Sequence, residues 1–238
     1  MFFAFFSGYT QSQFPSDWEI MGLKGKPKQI EITTSYQFYG RDAHKSGKGR
    51  SLYSFNKKGR LVSTQVDTLV NDSTTILMKT LSYKFTNKST RVITNDKTGD
   101  TIKTEEFKTR KDKSKVVISK SSSITPHTQT NTNMLVFNND FKHLETNDTT
   151  RYTSEALDLT IMMNQEYGYD GTKCTRLTVK STQKTKSAMF GEQSTPGNTI
   201  KLTYGNYKYD KEGNYIHREM YDNLGRVVLI EKRSFIYK

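Results

Sequence analysis

The chain has 238 residues, a net charge of +13, and only 33% hydrophobic residues, yet 12% are aromatic. That aromatic content excludes wholesale disorder, which goes with aromatic depletion. A single cysteine, Cys174, excludes an internal disulfide framework and any Cys-x-x-Cys metal or redox site, and no run approaches the eighteen apolar residues of a membrane-crossing helix. Thr, Tyr, Val, Ile and Phe carry the hydrophobic pattern, with little Leu or Ala, which is strand composition. The expected fold is all-β: an antiparallel meander of about ten strands in one curved or barrel-like sheet, with room for one helix.

In chain order, residues 1–13 open with the apolar run Met1 to Phe6 and turn polar at Tyr9, which reads as a signal-peptide remnant. Residues 14–238 then read as a single all-β domain. Ser16 or Asp17 caps a helical turn ended by Gly22. Residues 26–38 alternate, with Ile30 and Ile32 on one face, and form the first expected strand. Residues 40–50 read as a polar loop; Gly47-Lys48-Gly49-Arg50-Ser51 lacks the spacing of a phosphate loop.

From Phe55 onward a motif recurs. Phe55-Asn56-Lys57-Lys58-Gly59-Arg60-Leu61-Val62, Tyr209-Asp210-Lys211-Glu212-Gly213-Asn214-Tyr215-Ile216 and Tyr221-Asp222-Asn223-Leu224-Gly225-Arg226-Val227-Val228 share one order of residue types. An aromatic ends the incoming strand. Asp or Asn then accepts a backbone N–H two residues on, Gly takes the left-handed conformation that closes the turn, and an apolar pair opens the outgoing strand. Asn56, Gly59, Asp210, Gly213, Asp222 and Gly225 are thus the expected structural turn residues, with Phe55, Tyr209 and Tyr221 buried beside them. Weaker copies start at Phe85, Asn95, Phe137 and Tyr169, and the uneven spacing excludes a regular solenoid. Of the rest, residues 121–133 read as a Ser/Thr/Asn-rich loop, 154–165 as the best helix candidate, and 191–198 as a turn.

The segment Tyr207 to Tyr237 resembles the YD-type repeats of Rhs proteins. The opening GLKGKPKQIEIT and the hairpin SLYSFNKKGRLVS resemble small uncharacterised exported proteins of Bacteroidetes bacteria. The resemblance covers about half the chain and implies hairpin architecture and export to the periplasm or beyond.

The four histidines form no metal-binding spacing; His143-x-Glu145 and His217-x-Glu219 would each place two groups on one strand face. There is no nucleophile elbow and no dinucleotide fingerprint, and Glu105 and Glu106 point to opposite faces of a strand. No cofactor or metal site is expected. The charge is uneven: residues 41–120 hold nineteen Lys and Arg against eight Asp and Glu, the rest eighteen against sixteen. Lys57, Lys58, Arg60, Lys108, Arg110, Lys111, Lys113 and Lys115 are the candidate polyanion-binding residues. Strand alternation, however, predicts that Lys108 and Arg110 face away from Lys111, Lys113 and Lys115. The sequence therefore points to an exported, non-enzymatic binding or structural protein of the bacterial envelope, its partner an envelope protein or anionic polymer; the alternative is a basic nucleic-acid-binding or polyanion-binding protein.

Overall fold

The structure is a computed structural model that describes residues 13–40, 46–69, 75–123, 128–154, 157–187 and 191–237. One helical turn, α1 (Asp17–Ile20), precedes β1 (Gln29–Tyr36), β2 (Gly47–Phe55), β3 (Leu61–Leu69), β4 (Thr75–Phe85) and β5 (Thr90–Asn95). Next come β6 (Thr101–Thr109), β7 (Lys115–Ser123), β8 (Thr128–Phe137), β9 (His143–Thr153) and β10 (Leu157–Asp170). The chain finishes with β11 (Lys173–Ser187), β12 (Gly191–Pro196), β13 (Ile200–Tyr209), β14 (Tyr215–Tyr221) and β15 (Val227–Ile236).

Each strand pairs antiparallel with the next, β11 pairs with both β10 and β13, and β1 pairs with β15 over its whole length. The sheet therefore closes into a fourteen-stranded up-and-down barrel. The fifteenth strand, β12, is a flap that pairs only with the end of β11, Thr182 to Ser187. About ten strands were expected, and the shortfall has physical causes. Of the expected helix, residues 157–165 are strand: the alternation of Leu159, Ile161 and Met163 puts them on one face of β10, and the pairing with β9 and β11 overrides the local helical spacing. Of the Ser/Thr/Asn stretch, residues 121–123 belong to β7 and 128–133 to β8, residues 47–50 already belong to β2, and residues 191–196 form β12. Closure explains this, because every edge in a barrel has a partner and polar strands gain full ladders.

The hairpin turns β2–β3, β4–β5, β6–β7, β8–β9, β10–β11 and β13–β14 all lie at one end, with the start of β1 and the end of β15. The three motif turns share one chemistry. Asn56 Oδ1 accepts the backbone N–H of Lys58 and Arg60 at 2.9 and 3.1 Å, and Gly59, at φ 74°, donates its N–H to the Asn56 carbonyl. Asp210 with Gly213 (φ 83°) and Asp222 with Gly225 (φ 74°) repeat the arrangement, the latter at the far end. Two further copies do without glycine: Lys113 (φ 67°) and Phe141 (φ 59°) take the left-handed place, opposite Arg110 and Asn138.

Burial alternates along the strands. Glu105, Phe107, Ser119, Leu177 and Glu231 are buried, while Thr104, Lys108, Lys120, Arg176 and Lys232 are exposed. The first set faces the lumen. The outward face is largely Thr, Lys, Glu, Asn and Arg, as in Glu145, Asn147, Thr149 and Arg151 of β9, with apolar residues such as Val62, Ile118 and Met134 between them. That is the reverse of a lipid-facing barrel, whose outer surface carries an apolar band between aromatic girdles.

Candidate functional site

Residues 13–28 stop the turn end of the lumen. The Phe14 N–H donates to the Lys88 carbonyl in the β4–β5 turn, and the Asp17 and Trp18 N–H groups donate to the Gly59 carbonyl in the β2–β3 turn. Lys24 meets Asn214 beside the β13–β14 turn. Phe14 enters an aromatic cluster with Phe85, Phe107, Phe137 and Phe141, while Trp18 packs with Ile30, Phe55 and Leu61.

A buried ion network fixes this stopper to the wall. Arg91 donates Nη1 to both Asp17 carboxylate oxygens, at 2.7 and 2.8 Å, and Nε to Glu105 Oε2 at 2.7 Å. All three residues are at most 6% exposed. The guanidinium also sits 4.6 Å from the Phe14 ring centroid. Lys103 Nζ reaches Glu105 Oε1 at 2.7 Å, so two cations face two carboxylates. Burial alone would raise the Glu105 pKa, but Arg91 and Lys103 outweigh it and hold the carboxyl below its ordinary range.

The lumen is graded along its axis. From the stopper toward the far end, β6 presents Phe107, Glu105 and Lys103; β7 presents Val117, Ser119 and Ser121; β8 presents Phe137, Leu135, Asn133 and Asn131. Aromatics thus give way to charge and then to amides and hydroxyls. Lys103, Ser119, Ser121, Asn131 and Asn133 line a cavity of about 310 Å³, with Lys120 beside them on the strand. Behind them Asn133 donates to Asp148, which also accepts from Gln165 at 3.5 Å, and Asn131 donates to Ser121 at 3.4 Å.

On the opposite wall Glu231 accepts from Arg218 at 2.7 Å, Arg233 at 2.6 Å and the Tyr215 hydroxyl at 2.7 Å. Burial would raise its pKa, yet Arg233 and Arg218 pull it down to about 2. His143 is stacked between Phe137 and Tyr167, with ring centroids 5.0 and 4.3 Å away. Its burial lowers its pKa to about 4, against a smaller opposing effect of the hydrogen bond to the Glu145 carbonyl. The Glu145 carboxylate accepts instead from Asn147 and Asn164, so His143-x-Glu145 is not a ligand pair. A register shift between Val136 and Phe137 sets the two apart. His217 does reach Glu219, at 3.1 Å. No group of three or more potential metal ligands occurs among the described residues; His44 and His127 lie outside them.

The sequence-selected basic residues share the turn end but not one role. Lys57 and Lys58 are exposed in the β2–β3 turn, and Arg60 lies 4.3 Å over the Phe85 ring. Lys108 pairs with Glu106 on the outer wall at 2.9 Å. Arg110, Lys111 and Lys113 sit in the exposed β6–β7 turn, and Lys115 Nζ lies 3.6 Å over the Phe141 ring. The two-faced split, expected unless a loop intervenes, does not arise, because β6 ends at Thr109 and residues 110–114 are turn. The burial expected beside the motif turns holds for Phe55, at 7% exposed, but not for Tyr209, which is 48% exposed and stacked on Tyr207; Tyr221 is half-buried. Sequence reasoning missed the Arg91 network, whose partners stand 74 and 14 residues away. It also missed the amide wall, which carries no motif. Alternation of Asn131 and Asn133 on one strand was its only local signal.

No protein-family model matches this chain, and no curated protein does. Among solved structures it is similar to a porin-like protein from Bacteroides uniformis, with 12% identity, a TM-score of 0.44, and coverage of 89% of this chain and 97% of that one.

Proposed function

We propose that this chain is an exported, non-enzymatic binding protein of the cell envelope, which holds a polyhydroxylated ligand such as a saccharide in its lumen. The observation that carries the reading is the inverted wall. A polar exterior faces water, while the interior is sealed by aromatics at the stopper and lined by amides and hydroxyls beyond it. A barrel of fourteen strands has more bore than side chains fill at eight, and the 310 Å³ cavity suits a small ligand. Amide and hydroxyl groups match vicinal hydroxyls in both donor and acceptor roles.

Binding is favoured over catalysis because the lumen's ionisable groups are committed. Glu105 and Glu231 are held ionised by arginines, and His143 is held neutral by burial. None is poised near neutral pH, where a general acid or base works best. Export is supported by the resemblance of the opening segment and its first hairpin to small exported proteins.

Two measurements test this. Fractionation of cells expressing the native gene should recover the protein from the envelope. Calorimetry against a panel of neutral and acidic saccharides should find binding that Asn133→Leu with Ser119→Leu abolishes while the circular dichroism stays unchanged. Recovery from the cytosol refutes the export reading, and a panel without any binder refutes the lumen reading.

A further inference from the structure

The stopped end of the barrel is strongly basic, and this does not depend on what the lumen holds. The stopper and the turns of that end carry twelve Lys and Arg against six Asp and Glu. The imbalance is greater still in accessible charge, because Asp17 is buried on Arg91. At the far end, the described connections carry Lys97 and Arg226 against Asp96, Asp100 and Asp222. The charge asymmetry thus runs along the barrel axis.

The basic groups have a definite layout. Six hairpin turns lie at one end of a closed ring, and the stopper fills the mouth between them, bringing Lys24, Lys26 and Lys28, all exposed. Lys57, Lys58, Lys88, Lys111 and Lys113 are exposed, and among the described residues none of them is in an ion pair. Base stacking, which single-stranded nucleic acid requires, finds little here. Phe85, Phe141 and Tyr169 lie under Arg60, Lys115 and Lys142, and Tyr209 is the exposed aromatic of this end. Apart from Arg110, the free cations are lysines, point charges without the guanidinium fork that reads individual phosphates. Lysines spread around the whole of one end match a flat, laterally mobile layer of anions better than a single strand or groove.

We infer that the stopped end docks on an anionic lipid bilayer, with the lysines of the turns and stopper at the headgroups and the barrel axis along the membrane normal. The outer wall stays in water, in keeping with its polarity, and the far end points away from the membrane.

The test is sedimentation of the full chain with phosphatidylcholine vesicles, with and without phosphatidylglycerol, at low and raised salt. Two variants are compared: Lys57→Glu, Lys58→Glu, Lys111→Glu and Lys113→Glu together, and a control with Lys184→Glu, Lys186→Glu, Lys201→Glu and Lys232→Glu. Both carry the same net charge, and circular dichroism establishes that both are folded. Each lysine at a membrane surface contributes roughly five-fold to partitioning. The rim variant should therefore lose about 500-fold or more, while the control loses far less. Binding of the native protein should require phosphatidylglycerol and weaken with salt. Equal losses in the two variants, or equal binding to phosphatidylcholine alone, overturn the proposal. So does binding to heparin or single-stranded DNA with none to vesicles, which marks a polymer site. Failure here leaves saccharide binding in the lumen untouched, since that assay contains no lipid.

Discussion

Replacing Arg91 by Leu probes how the stopper is held. The substitution leaves Asp17 at 3% and Glu105 at 6% exposure without their shared guanidinium. Glu105 keeps Lys103 at 2.7 Å, but Asp17 keeps only the Leu61 N–H at 2.6 Å. Breaking a buried pair by removing one partner costs about 3–5 kcal/mol, and losing the contact with the Phe14 ring adds about 1 kcal/mol. A total of about 4–6 kcal/mol is a large share of a native stability of roughly 5–15 kcal/mol, so the variant should fold only weakly. Trp18 is the single tryptophan and belongs to the stopper, so its fluorescence reports that element while far-ultraviolet circular dichroism reports the barrel. In urea, Arg91→Leu should shift the Trp18 emission to the red well before the strands melt, whereas the two transitions lie closer in the native protein. Adding Asp17→Asn and Glu105→Leu removes the stranded charges and should recover part of the loss. A midpoint within about 0.5 kcal/mol of native, the range of an ordinary surface change, refutes the anchoring role.

Gly59→Ala and Gly225→Ala should differ although both glycines have φ 74°: an added Cβ at Gly59 meets Trp18 at 2.2 Å, while at Gly225 nothing lies within 4 Å. Urea melts should show about 1–2 kcal/mol of strain at Gly225 and a distinctly larger loss at Gly59, with altered Trp18 emission. Acid should destabilise the protein in two stages: the unfolded chain protonates His143 from pH 6.5 while the folded one resists until about 4, and Glu231 protonates in the unfolded chain from 4.5 but in the fold only near 2. Each depressed group accounts for about 3 kcal/mol lost as pH falls through its window, and His143→Phe should flatten the stability profile between pH 6.5 and 4. Burial raises the Cys174 pKa, its Sγ lying 3.6 Å from the Arg176 carbonyl oxygen, so a thiol reagent at pH 8 should label it slowly in the native state and at once in urea.

Local rules made part of this fold legible. Asn56, Asp210 and Asp222 each satisfy backbone N–H groups within four residues, so the turn chemistry is written in adjacent letters, as is the Ser16–Glu19 capping box. Where the same turn forms with Lys113 or Phe141 in the glycine place, the left-handed residue is held by ladders on both sides, and no local letter marks it. That is why strands were undercounted. The hairpins without glycine merge into loops when read from sequence, and a strand such as Thr128–Phe137 has almost no apolar residue in its first half.

The site was least legible because it is made by closure rather than by any segment. Lys103, Ser119, Asn131 and Asn133 come from three strands, and their common direction follows only once register and inward face are fixed. Each is unremarkable alone, and Thr or Ser in their places would read the same way. Arg91 shows the point more sharply. In the sequence it is one of nineteen basic residues in an apparently polyanion-facing third of the chain. In the fold it turns inward, and its two partners come from a helical turn and from β6. The same charge excess therefore contains two populations: inward cations that neutralise buried carboxylates and hold the stopper, and outward lysines on the rim that remain free. Counting charge along the chain mixes them, and the barrel separates them, because one residue of alternation moves a side chain from lumen to water.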